Sequence, residues 1–247
     1  MNGVGGGSRF VDSETFASRV LALSPEKKRD LAKRNLEYTL GDTSLDDKHE
    51  ELMVESDLNA VNFDGLVGAI CFAAPYNVSL RKPIVPCAPD ALVISDRDRR
   101  WHLIEFKNGR VDEMQVIRKM YDSVLLAVDL GIVPDRSYFN EFASFILVYN
   151  PDRLSESQKG KEDKDRRNKT AQIPKNRRAE LIRTQAYLKE RAGQDLDPFG
   201  ITKLKGYLFD EVIVQTQRRF IDTHDEWKVR QPERRLDPGS LDAQPQP

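Results

Sequence analysis

Apolar and polar positions along the chain fall into a few well-marked blocks. In the middle stand two short runs, Ala91-Leu92-Val93-Ile94 and Trp101-His102-Leu103-Ile104-Glu105-Phe106, separated by Ser95-Asp96-Arg97-Asp98-Arg99-Arg100. Runs rich in β-branched and aromatic residues around a cluster of turn formers predict two strands joined as a hairpin. Side chains alternate along a strand, so Glu105 and Lys107 share one face while Ile104 and Phe106 point to the other. A hairpin brings its outer ends together, which places Asp90 beside Glu105 and Lys107.

Downstream, Asn108-Gly109 marks a turn and a helix follows, in which Met114, Ile117, Tyr121, Val124 and Val128 recur at three and four residues; Gly131 and Pro134 close it. Its polar face carries Gln115, Arg118, Lys119 and Asp122. Phe142 to Tyr149 reads as a buried strand, and a crossover through the helix makes a β-α-β unit in a mixed sheet. Tyr207 to Val214 adds a final strand.

Upstream, Ser13 caps a helix with Phe16, Val20 and Leu23 inward, and Ser24-Pro25 opens a second that ends near Gly41. These two form a helical appendage over 13–43, behind a flexible lead at 1–12. Ser44 starts a further helix with Leu45, Leu52 and Met53 on its buried side. The apolar run Leu66 to Ala74 reads as a buried helix at 64–74, with the first core strand near 76–80.

Composition adds two constraints. Charged residues are 32% and apolar ones 39%, enough for a folded core under a highly charged surface. Residues 42–64 carry eight acids against Lys48 alone, whereas 153–191 carry thirteen Lys or Arg against six acids. This asymmetry suggests a basic surface for a polyanion. Residues 153–177 have almost no apolar side chains and read as a mobile loop, in which Lys164, Arg166 and Arg167 are placed to contact a phosphate backbone. The segment from 231 to 247 reads as a tail. Cys71 and Cys87 are too few for a disulfide framework and read as buried thiols. With no signal-peptide core and no run of membrane-spanning length, the expected setting is cytoplasmic.

The candidate chemistry lies between Pro89 and Lys107. Two carboxylates and an ammonium at one sheet end can hold a hard divalent cation and orient a water beside it. Pro-Asp ahead of one strand and Glu-x-Lys on its partner resembles the PD-(D/E)XK nuclease superfamily. The strings Glu26-Lys27-Lys28, Glu162-Asp163-Lys164 and Glu226-Trp227-Lys228 share the triplet, and Pro-Asp recurs at Pro134-Asp135 and Pro151-Asp152, but only over 89–107 do the two bracket a pair of strand-like runs within hairpin distance.

The resemblance implies a restriction-endonuclease-like αβββαβ core over 44–230, a mixed central sheet flanked by helices. It also implies Mg²⁺ or Mn²⁺ held by Asp90, Glu105 and the Phe106 carbonyl, with Lys107 acting on the water or the developing charge. Many members add an acidic ligand from a helix before the first strand, and Glu50 or Glu51 suits that role, with His49 and Glu55 as alternatives. Gln115 and Lys119 are candidates for phosphate contact from the helix after Lys107. The activity implied is phosphodiester hydrolysis in nucleic acid, DNA ahead of RNA, with a homodimer compatible and no interface legible. Two other readings stay open: an inactive module of the same fold that binds nucleic acid or a protein, and an interaction protein of unrelated α/β fold. Asp222, His224, Asp225 and Glu226 form a second acidic group, but with no strand pair to frame it His224 reads as exposed.

Overall fold

In a computed structural model, residues 9–46, 49–71, 86–154, 175–191 and 197–228 are described. The expected strand at 76–80, the loop cations Lys164, Arg166 and Arg167, and the tail lie outside them.

The hairpin is the spine of the molecule. β5 (Ala91–Ser95) pairs antiparallel with β6 (Arg100–Lys107), from Ala91 opposite Ile104 to Ser95 opposite Arg100. Ser95 and Asp98 bond to each other across the turn, where Arg99 takes a left-handed backbone at φ 52°. Parallel to β6 runs β7 (Ala143–Tyr149), and parallel to β7 runs β8 (Glu211–Thr216). On the other side β4 (Asn59–Asn62) pairs antiparallel with β5, and β1 (Tyr38–Thr39) with β4. Among the described residues the result is a mixed six-stranded sheet, ordered β1-β4-β5-β6-β7-β8. The neighbour of β5 therefore comes from 59–62, ahead of the apolar run at 66–74. Its four residues, Asn-Ala-Val-Asn, give too short a hydrophobic alternation to stand out in the sequence.

Helices cover both faces. One core cluster joins Leu92, Leu103, Phe145 and Val214 of the sheet to α1 (Ser13–Leu23), α2 (Arg29–Leu36), α4 (Phe63–Cys71), α5 (Glu113–Asp129) and α6 (Ser137–Phe142). Ala179 and Ile182 of α7 (Lys175–Arg191) reach the same cluster. On the opposite face, Ile104, Phe106, Ile146 and Val148 pack with Leu40 of α3 (Leu40–Thr43) and Phe220 of α8 (Gln217–Lys228).

Three sequence expectations are corrected at this level. The N-terminal helices do not stand apart: Val11, Phe16 and Val20 belong to the main core, Trp101 meets Phe16 edge-on at 5.2 Å, and the Trp101 indole N–H donates to the Val11 carbonyl at 2.8 Å. Residues 9–12 are accordingly packed rather than flexible, and the cap of α1 is Asp12, whose carboxylate accepts from Thr15 N–H. Second, α5 is rotated from its predicted face. Val116, Lys119, Met120, Ser123, Val124 and Ala127 are buried, while Met114 and Leu125 are exposed. A buried lysine breaks the apolar periodicity, because its stem packs as hydrocarbon. Third, His224 is buried and stacks on Phe220 at 5.3 Å.

Candidate functional site

The site forms where β5 begins and β6 ends. Asp90 lies one residue before the Ala91–Ile104 pair, so the ladder brings it opposite Glu105. Two contacts pin it. Its carbonyl accepts from Phe63 N–H at 3.1 Å, and its carboxylate Oδ2 accepts from Phe106 N–H at 2.7 Å. Glu105 points to the α5 face of the sheet by strand alternation, and Phe106 to the other, where its ring meets Phe220.

Glu105 is fully buried, and two ammonium groups hold it. Lys107 Nζ lies 2.6 Å from Oε1, and Lys119 Nζ lies 2.7 Å from Oε2. Lys119 also reaches Asp90 Oδ1 at 3.4 Å, so it bridges the two carboxylates. Burial pushes Glu105 up to about 7; the Asp90 charge adds to this, and Lys107 and Lys119 oppose it. For Lys119, burial alone would pull the ammonium down, but the charges of Glu105 and Asp90 outweigh it and hold the group above its usual value.

Asp90, Phe106 and Lys107 open into a cleft of about 460 Å³. Asn108, Gly109 and Arg110 continue its floor, and Asn150 fixes that turn by donating from its amide to Asn108 Oδ1 at 2.9 Å. The opposite wall is not the expected helix. β2 (Leu45–Asp46) and β3 (Glu51–Leu52) form a small antiparallel hairpin from the chain around Ser44. Ser44 anchors its base, accepting from Val54 N–H through Oγ. Gln217 donates to Met53 O at 2.8 Å, tying the hairpin to α8. Leu45 and Leu52, expected inside, are about half exposed.

This rearrangement moves the expected acidic ligands. Glu50 sits in the turn with φ 54°, and Glu51 is paired with Arg153 at 2.7 Å. Neither lines the cleft, and Glu55 is exposed. Asp46 and His49 line it instead, joined at 2.6 Å between Oδ2 and Nδ1. Among the described residues, no group of three or more His, Cys, Asp or Glu is placed to hold a metal. Gln115 is exposed one helical turn before Lys119, with its N–H bonded to the Asp112 cap.

Sequence reasoning missed the bridging role of Lys119, and with it Asp46 and Arg110. The signal available for Lys119 was its spacing from Val116, Met120 and Ser123; none was available for a hairpin of two-residue strands. No described helix is long and apolar enough to cross a membrane. No family model, curated protein or solved structure matches the chain.

Proposed function

We propose that the protein is a metal-dependent nuclease of the PD-(D/E)XK type, hydrolysing phosphodiester bonds with DNA as the first substrate to test. One observation carries the reading: Asp90, Glu105 and Lys107 converge at the end of the hairpin, two of them opening into a cleft and the third buried behind it. A surface Glu/Lys pair would not need a fully buried carboxylate.

The donor set suits Mg²⁺ or Mn²⁺ through two carboxylates and one carbonyl. Mg²⁺ is commonly held by one or two carboxylates together with substrate phosphates and waters. Asp90 and Glu105 supply the carboxylates and Phe106 a carbonyl beside them. Glu105 Oε1, close to Lys107 as an ion pair, has no well-directed hydrogen bond, leaving a lone pair for a cation. Bound there, the metal would lower the pKa of a water and offset phosphoryl charge.

The chain's own groups do the rest. Lys107 presents its ammonium at the mouth and can donate to a water or to a phosphoryl oxygen. Arg110 adds positive charge along the cleft floor for the backbone on either side of the scissile bond. His49, oriented by Asp46, offers an imidazole on the opposite wall, within the same cleft as Lys107.

A second reading has its own support. Because Lys119 already bridges Asp90 and Glu105, the carboxylate pair is charge-compensated without metal, as it would be in an inactive module that binds nucleic acid. Incubation of supercoiled plasmid, linear duplex, single-stranded DNA and RNA with Mg²⁺ or Mn²⁺ separates the two. Cleavage by the wild type that is lost in a folded Lys107→Ala variant supports the nuclease. Salt-sensitive mobility shifts by both proteins, with no cleavage, support the binding module.

A further inference from the structure

Resting on the metal-dependent reading, we propose that Lys119 is a built-in cation of the site, and that a divalent metal enters by exchange with its ammonium. Lys119 Nζ lies between Asp90 Oδ1 and Glu105 Oε2, on the same two carboxylates that would hold the metal. Mg²⁺ sits about 2.0–2.1 Å from its ligand oxygens. An ammonium 2.7 Å and 3.4 Å from oxygens of those two carboxylates crowds a cation that they would hold, and two cations so close repel.

The helix cannot relieve the conflict by turning. Val116, Met120, Ser123 and Val124 fix α5 in the core around Lys119, and Ser123 Oγ donates to the Lys119 carbonyl at 2.6 Å. Only the four-carbon stem is free to rearrange. When it does, the ammonium remains in the field of Asp64 at the start of α4, the other acid acting on it. Lys119 therefore has two consequences. It keeps the buried Glu105 compensated in the metal-free protein, and it weakens metal binding, because each loading event must first break two ion pairs.

Calorimetric titration of Mg²⁺ and Mn²⁺ into wild type, Lys119→Gln and Lys119→Arg tests the exchange, with circular dichroism confirming the fold. Lys119→Gln keeps a donor for Glu105 but removes the competing charge. Its metal affinity should rise at least tenfold over wild type, while Lys119→Arg should not gain. The wild type gives an independent readout: the NMR signal of the Lys119 ammonium should shift or vanish at saturating Mg²⁺. Unchanged or weaker binding by folded Lys119→Gln, or an unmoved Lys119 signal in metal-saturated wild type, would overturn the exchange and leave the metal site standing. Absence of metal binding in the folded wild type would overturn the exchange and the metal site together. Should Lys119→Gln fail to fold, the wild-type spectrum decides.

Discussion

Lys119 Nζ lies 2.7 Å from Glu105 Oε2, joining a residue of α5 to a fully buried residue of β6. Removing one partner of a buried pair costs about 3–5 kcal/mol where the other charge is left alone, but here Lys107 Nζ still lies 2.6 Å from Glu105 Oε1. Lys119→Met should therefore destabilise the protein by a part of that amount, about 1–3 kcal/mol. Adding Glu105→Gln to it should recover a large part, since the charge needing compensation is gone. Urea unfolding of the two single variants and the double variant measures the coupling; a purely additive result would show that the pair contributes nothing as a pair.

Folding stability should carry a pH signature from His102. Burial lowers its imidazole from 6.5 to about 4, and its Nδ1 lies 2.7 Å from Ser144 Oγ. Between those values the unfolded chain binds the proton and the folded protein does not. Stability from this group is thus present above pH 6.5 and lost as pH falls through 4, on the order of 3 kcal/mol when fully developed. Glu105 works in the opposite sense over an overlapping window. Raised from 4.5 to about 7, it takes up a proton in the folded state, so its contribution is full below 4.5 and lost as pH rises toward 7. The histidine effect must therefore be read as a difference. His102→Asn should flatten the acid limb of the wild-type stability curve, measured by thermal or urea unfolding between pH 4 and 7, and parallel curves would refute the assignment.

The hairpin wall makes a distinction among glutamates testable. Glu50 holds a left-handed backbone, a conformation costing a non-glycine residue roughly 1–2 kcal/mol. Glu50→Gly should raise stability slightly while leaving cleavage within about twofold of wild type. Glu51→Ala should also retain cleavage, losing a pair between an exposed glutamate and a half-buried arginine worth about 1 kcal/mol. By contrast, Glu105→Gln should abolish it. Loss of cleavage in Glu50→Gly would restore that residue to the site.

Gly41 offers a check on how the cleft wall is supported. A Cβ there would lie 2.8 Å from the Ser56 carbonyl, and the Gly41 N–H already donates to that oxygen at 2.9 Å. The obstacle is backbone, which cannot rotate away. Gly41→Ala should cost about 1–3 kcal/mol and displace the segment that leads into β2. A melting temperature equal to wild type would show that the Ser56 backbone yields to the added methyl without cost.

By itself the sequence determined the central hairpin, its face assignment, and the meeting of Asp90, Glu105 and Lys107. Local alternation and turn chemistry over 89–107 settle all three, because strand neighbours joined by a short turn need no distant partner. It also determined the parallel strand after the crossover helix. Only the tertiary structure decided the rest. Strand β4 and the β2–β3 hairpin are too short to leave a period, so the acidic segment reads as a helix until Ser44, Val54 and Gln217 are seen to hold it otherwise. Likewise Lys119 looks like a surface lysine on any helical wheel that follows Met114 and Tyr121. Burial of Val116 and Met120 turns it inward, and two carboxylates brought together by the sheet compensate its charge where no local pattern could announce them.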